Sequence, residues 1–180
     1  MTDAVRQFFS GLVPAAQEQI SWREGAIRLR LQVYLTDVGP PLEYTTSVRG
    51  VVLTDAGCAV LRNADGLHLL PGGRREGNED IAATLHREVR EETGCSIASW
   101  RPLALLHFHH LTPKPSDYAY PYPDFIQAVF AVRGSAGTFT GDPDRYELNV
   151  EFVAPSRLPS LVEIPAYQRL LAGAALAVSS

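Results

Sequence analysis

From Ile27 to Leu35 the chain alternates without a break. Ile27, Leu29, Leu31, Val33 and Leu35 are apolar, and Arg28, Arg30, Gln32 and Tyr34 lie between them. A period of two predicts a strand with one face buried. Asp37-Val38-Gly39-Pro40-Pro41 then reads as a loop. Tyr44 to Leu53 is rich in β-branched residues and predicts a second strand. Asp55-Ala56-Gly57 turns the chain into a short strand over Cys58 to Leu61, so the pair forms a hairpin. Asn63 to Gly66 turns it again, Leu67 to Leu70 predicts a further strand, and Pro71-Gly72-Gly73 breaks that strand.

Past Pro71 the period changes. Ile81, Leu85 and Val89 recur every fourth residue, with Ala82 widening the stripe, and this predicts an amphipathic helix. Asn78 is a suitable N-cap, Glu79 and Asp80 place negative charge in the first turn, and Gly94 sits where a C′ glycine belongs. The helix is therefore expected over Glu79 to Thr93. Ile97 to Leu111 is β-rich with a break near Pro102. Thr112 to Asp124 is a Pro/Tyr loop, and Phe125 to Val132 is a strong strand. Gly134 to Asp144 reads as a loop, Glu147 to Val153 as a strand, and the chain from Leu158 as helical, ending in Tyr167 to Val178. Strands, one central helix, more strands and a last helix predict an α/β fold with a mixed sheet between helices. Residues 1–24 carry no clear period. Val5 to Val13 suggests a short amphipathic helix, and we take 1–24 as an N-terminal extension of a domain over 25–180.

The central helix carries an unusual charge pattern. Glu88, Glu91 and Glu92 stand at i, i+3 and i+4, so they share one face. At about 100° per residue, Glu88 and Glu92 lie at the edge of the apolar stripe. Three clustered carboxylates repel one another, and partial burial sharpens the repulsion. A cation among them relieves it, and an all-oxygen ligand set selects a hard ion such as Mg²⁺ or Mn²⁺. Mg²⁺ held in this way shares its shell with substrate phosphates. Gly72 and Gly73 allow close backbone approach just upstream. The constellation points to a polyphosphate–metal site.

Composition narrows the classes. A hydrophobic share of 46% with 20% charged residues excludes a disordered or fibrous chain. A net charge of −4 offers no footprint for nucleic acid or an anionic membrane. Cys58 and Cys95 form no CxxC pair, which removes zinc and thiol–disulfide motifs and favours a reducing compartment. The start Met1-Thr2-Asp3 has no signal-peptide pattern, and the apolar run Leu170 to Val178 is too short to span a bilayer. A cytoplasmic protein is expected.

Gly73, five residues, Glu79, seven residues, then Arg87-Glu88-Val89-Arg90-Glu91-Glu92-Thr93-Gly94-Cys95 resembles the Nudix box, Gly-x5-Glu-x7-Arg-Glu-U-x-Glu-Glu-x-Gly-U with U bulky and apolar. Only Cys95 departs from the usual residue, and a buried cysteine behaves as a small hydrophobe. The resemblance implies an α/β/α sandwich. It implies a Mg²⁺- or Mn²⁺-dependent hydrolase that cuts a phosphoanhydride bond in a nucleoside diphosphate linked to a group X. Glu88 and Glu92 would hold metal, with Glu91 beside them and the Gly72 carbonyl as a further ligand. Arg87 and Glu79 would pair and orient the cluster, and Gly73 and Gly94 would shape the backbone. Glu91, Glu92, Arg87 and a distal acid would serve catalysis. Glu147 is our choice for that acid, with Asp144 and Glu151 as alternatives. The competing possibility is a non-catalytic domain that senses a nucleotide ligand, but such domains usually lose part of the glutamate cluster. Isomerase chemistry on an isoprenoid diphosphate would need a nucleophilic cysteine, and both cysteines read as core.

Substrate contacts are less determined. Arg74 and Arg75 stand beside the glycine pair, within reach of phosphates. Tyr120 and Phe125, with Tyr118 and Tyr122, are candidates to stack on a base, although packing of the loop is the plainer role. His107 and His109 share a strand face and His110 points away. The strand 27–35 is expected to pair with the sheet or with a second subunit, and a homodimer is expected by resemblance.

Overall fold

The computed structural model describes residues 1–77, 79–141 and 146–179. In chain order the elements are α1 (Asp3–Phe8), β1 (Ala16–Trp22), β2 (Ile27–Leu35), β3 (Thr45–Thr54), β4 (Gly57–Asn63), β5 (Gly66–His68) and β6 (Gly72–Gly73). There follow α2 (Ile81–Thr93), β7 (Ser96–His110), β8 (Asp124–Ser135), β9 (Asn149–Val153), a 3₁₀ turn (Pro155–Ser160) and α3 (Ala166–Ser179). The strands form one sheet in the order β1-β2-β7-β8-β3-β4-β5, with β6 paired to β3 and β9 to β4. The pairing of β3 with β8 is parallel and the others are antiparallel, so the sheet is mixed as expected.

The pleat sorts side chains into two cores. Val48 and Val52 of β3 join Leu85 and Val89 of α2, with Val5 and Phe9 from the α1 region, on one face. Val51 and Leu53 join Leu171, Ala172 and Ala175 of α3 on the other. The helices thus cover both faces, which is the α/β/α arrangement. Cys58 and Cys95 are buried, as their core reading required. Burial pushes the Cys58 thiol up to about 12, which leaves it unreactive near neutral pH. Among the described residues, no helix is long and apolar enough to cross a membrane.

Several boundaries differ from the pattern in the sequence. Helix α2 starts at Ile81, and Asp80 caps it by accepting the Ala83 N–H at 2.7 Å. Glu79 stays in the loop because its carbonyl is held by Arg75 and its carboxylate by Arg87. Asn78, the expected cap, lies outside the described residues. Gly94 ends the helix in the left-handed conformation, φ 71°, as expected. Pro71-Gly72-Gly73 is more than a break, since Gly72 and Gly73 pair with Arg49 and Val48. Helix α1 is shorter and earlier than Val5 to Val13. The late strand begins at Asn149, leaving Glu147 just before it. Within 1–24, Ala16 to Trp22 is an edge strand on β2, whose other edge pairs with β7. Both edges of β2 are therefore used inside the chain.

The site owes its position to one split in the sheet. Strand β3 pairs with β4 only over Leu53 and Thr54. Further back β3 pairs with β6 instead, while β4 diverges to meet β5 and β9. Helix α2 packs on β3 and β6 beside this opening.

Candidate active site

Arg87 organises the acidic face of α2. Its Nε donates to Glu79 Oε1 at 2.8 Å and its Nη2 to Glu79 Oε2 at 3.0 Å. Its Nη1 donates to Glu88 Oε1 at 2.9 Å and to Glu91 Oε2 at 3.1 Å, and Nη2 also reaches the Arg74 carbonyl. This fork fixes two carboxylates of the cluster and ties the loop to the helix. The Arg87 hydrogen bond and the Glu76 N–H hold the Glu79 carboxyl at about 2.

Glu88 and Glu92 are the inner pair. Glu88 is buried, and burial pushes its carboxyl up against the opposing pull of Arg87. Glu92 Oε2 accepts the Gly72 N–H at 2.7 Å. Burial nonetheless pushes Glu92 up to about 8, opposed by that bond and by Arg49, and reinforced by Glu147 and Glu88. Among the described residues no three acidic, histidine or cysteine side chains converge on one point as they stand. The donor set is nonetheless all oxygen, and its two inner carboxylates lie where their own charge is disfavoured. A hard divalent cation fits those donors.

Both glycines leave room that a Cβ would fill. Gly72 sits at φ 141°, where a Cβ would overlap the Val48 carbonyl. At Gly73 a Cβ would overlap the Glu88 carboxylate. Gly73→Ala is expected to displace Glu88 from Arg87 and to lower turnover by about 10–100-fold, as loss of an orienting contact does. The melting temperature should move by only a few degrees. Parallel kinetics and thermal melts check this, and unchanged turnover would refute it.

The distal acids separate. The Glu147 side chain has no exposed surface, and its Oε1 lies 2.9 Å from His68 Nε2 on β5. Its electrostatic effect on Glu92 places it beside the cluster. Glu151 is exposed on β9 and bonds Asn149. Asp144 lies outside the described residues.

The structure also places the substrate candidates. Arg74 lies over the Tyr120 ring, 4.4 Å from its centroid. Arg75 is spent on the Glu79 carbonyl. Phe125 stacks flat on Phe108 at 4.7 Å. Arg74, Tyr120 and Phe125 line a cavity of about 370 Å³ that reaches Gly73. His107 Nε2 and His109 Nδ1 both meet Asp124 Oδ1, at 2.9 and 2.8 Å, as a shared face requires. His110 turns to the other side, against Tyr118 and Tyr122.

Sequence reasoning missed Arg49, which donates to the Leu70 carbonyl at 2.9 Å and to Gln127 at 3.2 Å beside the carboxylates. A lone arginine inside a run rich in β-branched residues was the available signal. His68 carried no signal, because its partner is 79 residues away.

A family model describing the NUDIX domain matches residues 44–172. The chain belongs to the Nudix family. Nudix proteins are in general pyrophosphohydrolases, and this chain is a Nudix pyrophosphohydrolase; members of the family generally use divalent metals. No curated protein matches the chain. Among solved structures, a pyrophosphohydrolase from Bacillus subtilis is similar at 14% identity and TM-score 0.57, over 91% of this chain and 98% of that one. A NUDIX hydrolase from Nitrosomonas europaea gives 18% identity and TM-score 0.52 over 74% and 90%. A UDP-X diphosphatase gives 21% and 0.51 over 81% and 67%. At these identities the likeness bears on the fold, and it agrees with the mixed sheet and flanking helices of this Nudix chain.

Proposed function

We propose that this Nudix enzyme hydrolyses the phosphoanhydride bond of a nucleoside diphosphate linked to a group X, with Mg²⁺ or Mn²⁺ held by Glu88 and Glu92 and by Glu91 beside them. The observation that carries it is the inner carboxylate pair. A buried Glu88 and a partly buried Glu92 with unfavourable charge, set against Gly73 and Gly72, suit a divalent cation and a phosphate better than they suit a stable core. Such a cation neutralises diphosphate charge and lowers the pKa of water. The chain's own groups do the rest. Arg49 and Arg74 face the cleft and bear phosphate oxygens. Glu147, positioned by His68, takes the proton of the attacking water. Arg87 keeps the carboxylates in place.

The test is a panel of nucleoside triphosphates, ADP-ribose, nucleotide sugars and dinucleoside polyphosphates, assayed with Mg²⁺, with Mn²⁺ and with chelator. Metal-dependent release of a nucleoside monophosphate and a phosphorylated fragment is expected. Absence of metal-dependent cleavage across the panel would overturn the proposal.

A further inference from the structure

Strand β1 carries a carboxylate where a sheet edge would normally place an apolar side chain. Its burial alternates, so Ala16, Glu18 and Ile20 face inward while Gln17 and Gln19 face out. Ala16 and Ile20 pack on the core, but Glu18 lies between them on the wall of a cavity of about 890 Å³. Glu18 Oε1 is buried without a hydrogen-bond partner, and burial pushes its carboxyl up. A buried acceptor left unpaired is costly unless something else supplies the donor.

Two residues beyond Ile20, Trp22 lines both this cavity and the aromatic one. Its ring lies 5.7 Å from Phe108 and 5.8 Å from Phe125. The next residue, Arg23, pairs with Asp117 at 2.9 Å and ties the β1–β2 turn to the loop bearing Tyr118 and Tyr120. The aromatic chamber also holds the Ser47 hydroxyl, 4% exposed as a residue and without a partner. Arg49 and Gln127 line both chambers. A diphosphate over Arg49 thus has an aromatic compartment on one side and a polar compartment on the other. The four-residue step from Glu18 to Trp22 spans about 13 Å of strand, comparable with the ribose and diphosphate that separate a base from the group beyond.

We propose that β1 is the specificity strand: Trp22 and Ser47 receive the base, and Glu18 receives hydroxyl donors of X, so the substrate is a nucleoside diphosphate joined to a hydroxyl-rich group such as a sugar, not a nucleoside triphosphate. This rests on the phosphoanhydride hydrolysis proposed above. The polar chamber holds Glu18, Glu24 and Asp65, and three carboxylates disfavour a third phosphate there while accepting neutral hydroxyls.

Binding without metal separates the two proposals, because it needs no turnover. In a Trp100→Phe background, quenching of Trp22 fluorescence by ADP and ADP-ribose, or UDP and UDP-glucose, is measured in chelator. ADP or UDP should quench, and Trp22→Ala should weaken binding by calorimetry about 5–100-fold. Trp22→Phe should recover most of that loss. The nucleotide sugar should bind tighter than its diphosphate, and Glu18→Leu should erase that difference, about 10–100-fold, while leaving ADP and UDP binding intact. In kinetics, Glu18→Leu should raise KM for the nucleotide sugar and leave KM for the corresponding triphosphate equal or lower, since one of the charges that disfavour its third phosphate is gone. Equal effects of Glu18→Leu on sugar and triphosphate, or nucleotide binding unchanged by Trp22→Ala, would overturn the inference. Normal binding without any metal-dependent cleavage would instead count against the hydrolysis, leaving the two chambers standing.

Discussion

Glu92→Gln is expected to lower kcat by about 10²–10⁴-fold while the protein still folds. The change keeps the shape of the side chain but removes the charge that a divalent cation and a reacting water would use. The Gln oxygen still accepts the Gly72 N–H that Glu92 accepts at 2.7 Å, so the backbone anchor survives. Stability should respond in the opposite sense to activity. Burial raises the folded-state carboxyl from 4.5 to about 8. Its contribution to metal-free stability is therefore fully present below 4.5 and is lost as the pH rises through 8. Glutamine stays neutral, so metal-free melts of the variant should lack that decline and should lie at or above the wild type at alkaline pH. Turnover on the best panel substrate, with melts across pH in chelator, checks both halves. Near-wild-type kcat would remove Glu92 from the chemistry.

The second large effect concerns stability alone. Asp124 is fully buried and accepts from His107, His109 and the Thr2 N–H, the last at 2.6 Å. Burial works to raise its carboxyl, but the bonds from His107, Thr2 and His109 outweigh it and hold the group well below the usual range. In Asp124→Asn a single oxygen remains, so an amide NH2 must face either the Thr2 N–H or the two imidazoles, which share Oδ1, in a closed space. It should cost about 3–5 kcal/mol, as breaking a buried pair does, or on the order of 10 °C in melting temperature. The depressed carboxyl gives the wild type a contribution that is present above about 4 and lost as pH falls toward the folded value. The variant should therefore show a flatter acid limb. A melt within two degrees of wild type would refute the buried role. Turnover should be spared while the fold persists, since the cluster faces α1 and not the carboxylates of α2.

Much of the carboxylate half of the site could be read locally. Glu88, Glu91 and Glu92 share a face because the helical repeat fixes them there, and Leu85 and Val89 declare which side is buried. Gly72 and Gly73 are likewise adjacent to the turn they serve. The substrate half was less legible. Strand β1 looked formless because Glu18 and Trp22 face a cavity, and a cavity wall does not follow the apolar alternation of a packed face. Glu147 stood out only by its place before a late strand. Its meeting with His68 depends on β5 and β9 flanking β4.

The sequence alone determined the family motif, the central helix, its acidic face and most of the strands, since each depends on residues a few positions apart. Only the tertiary structure decided that β3 parts from β4 beside Gly72, that Arg49 and Glu147 come to the glutamates, and that the first strand walls the cleft. Those facts depend on register and burial between distant segments, and no local spacing encodes them.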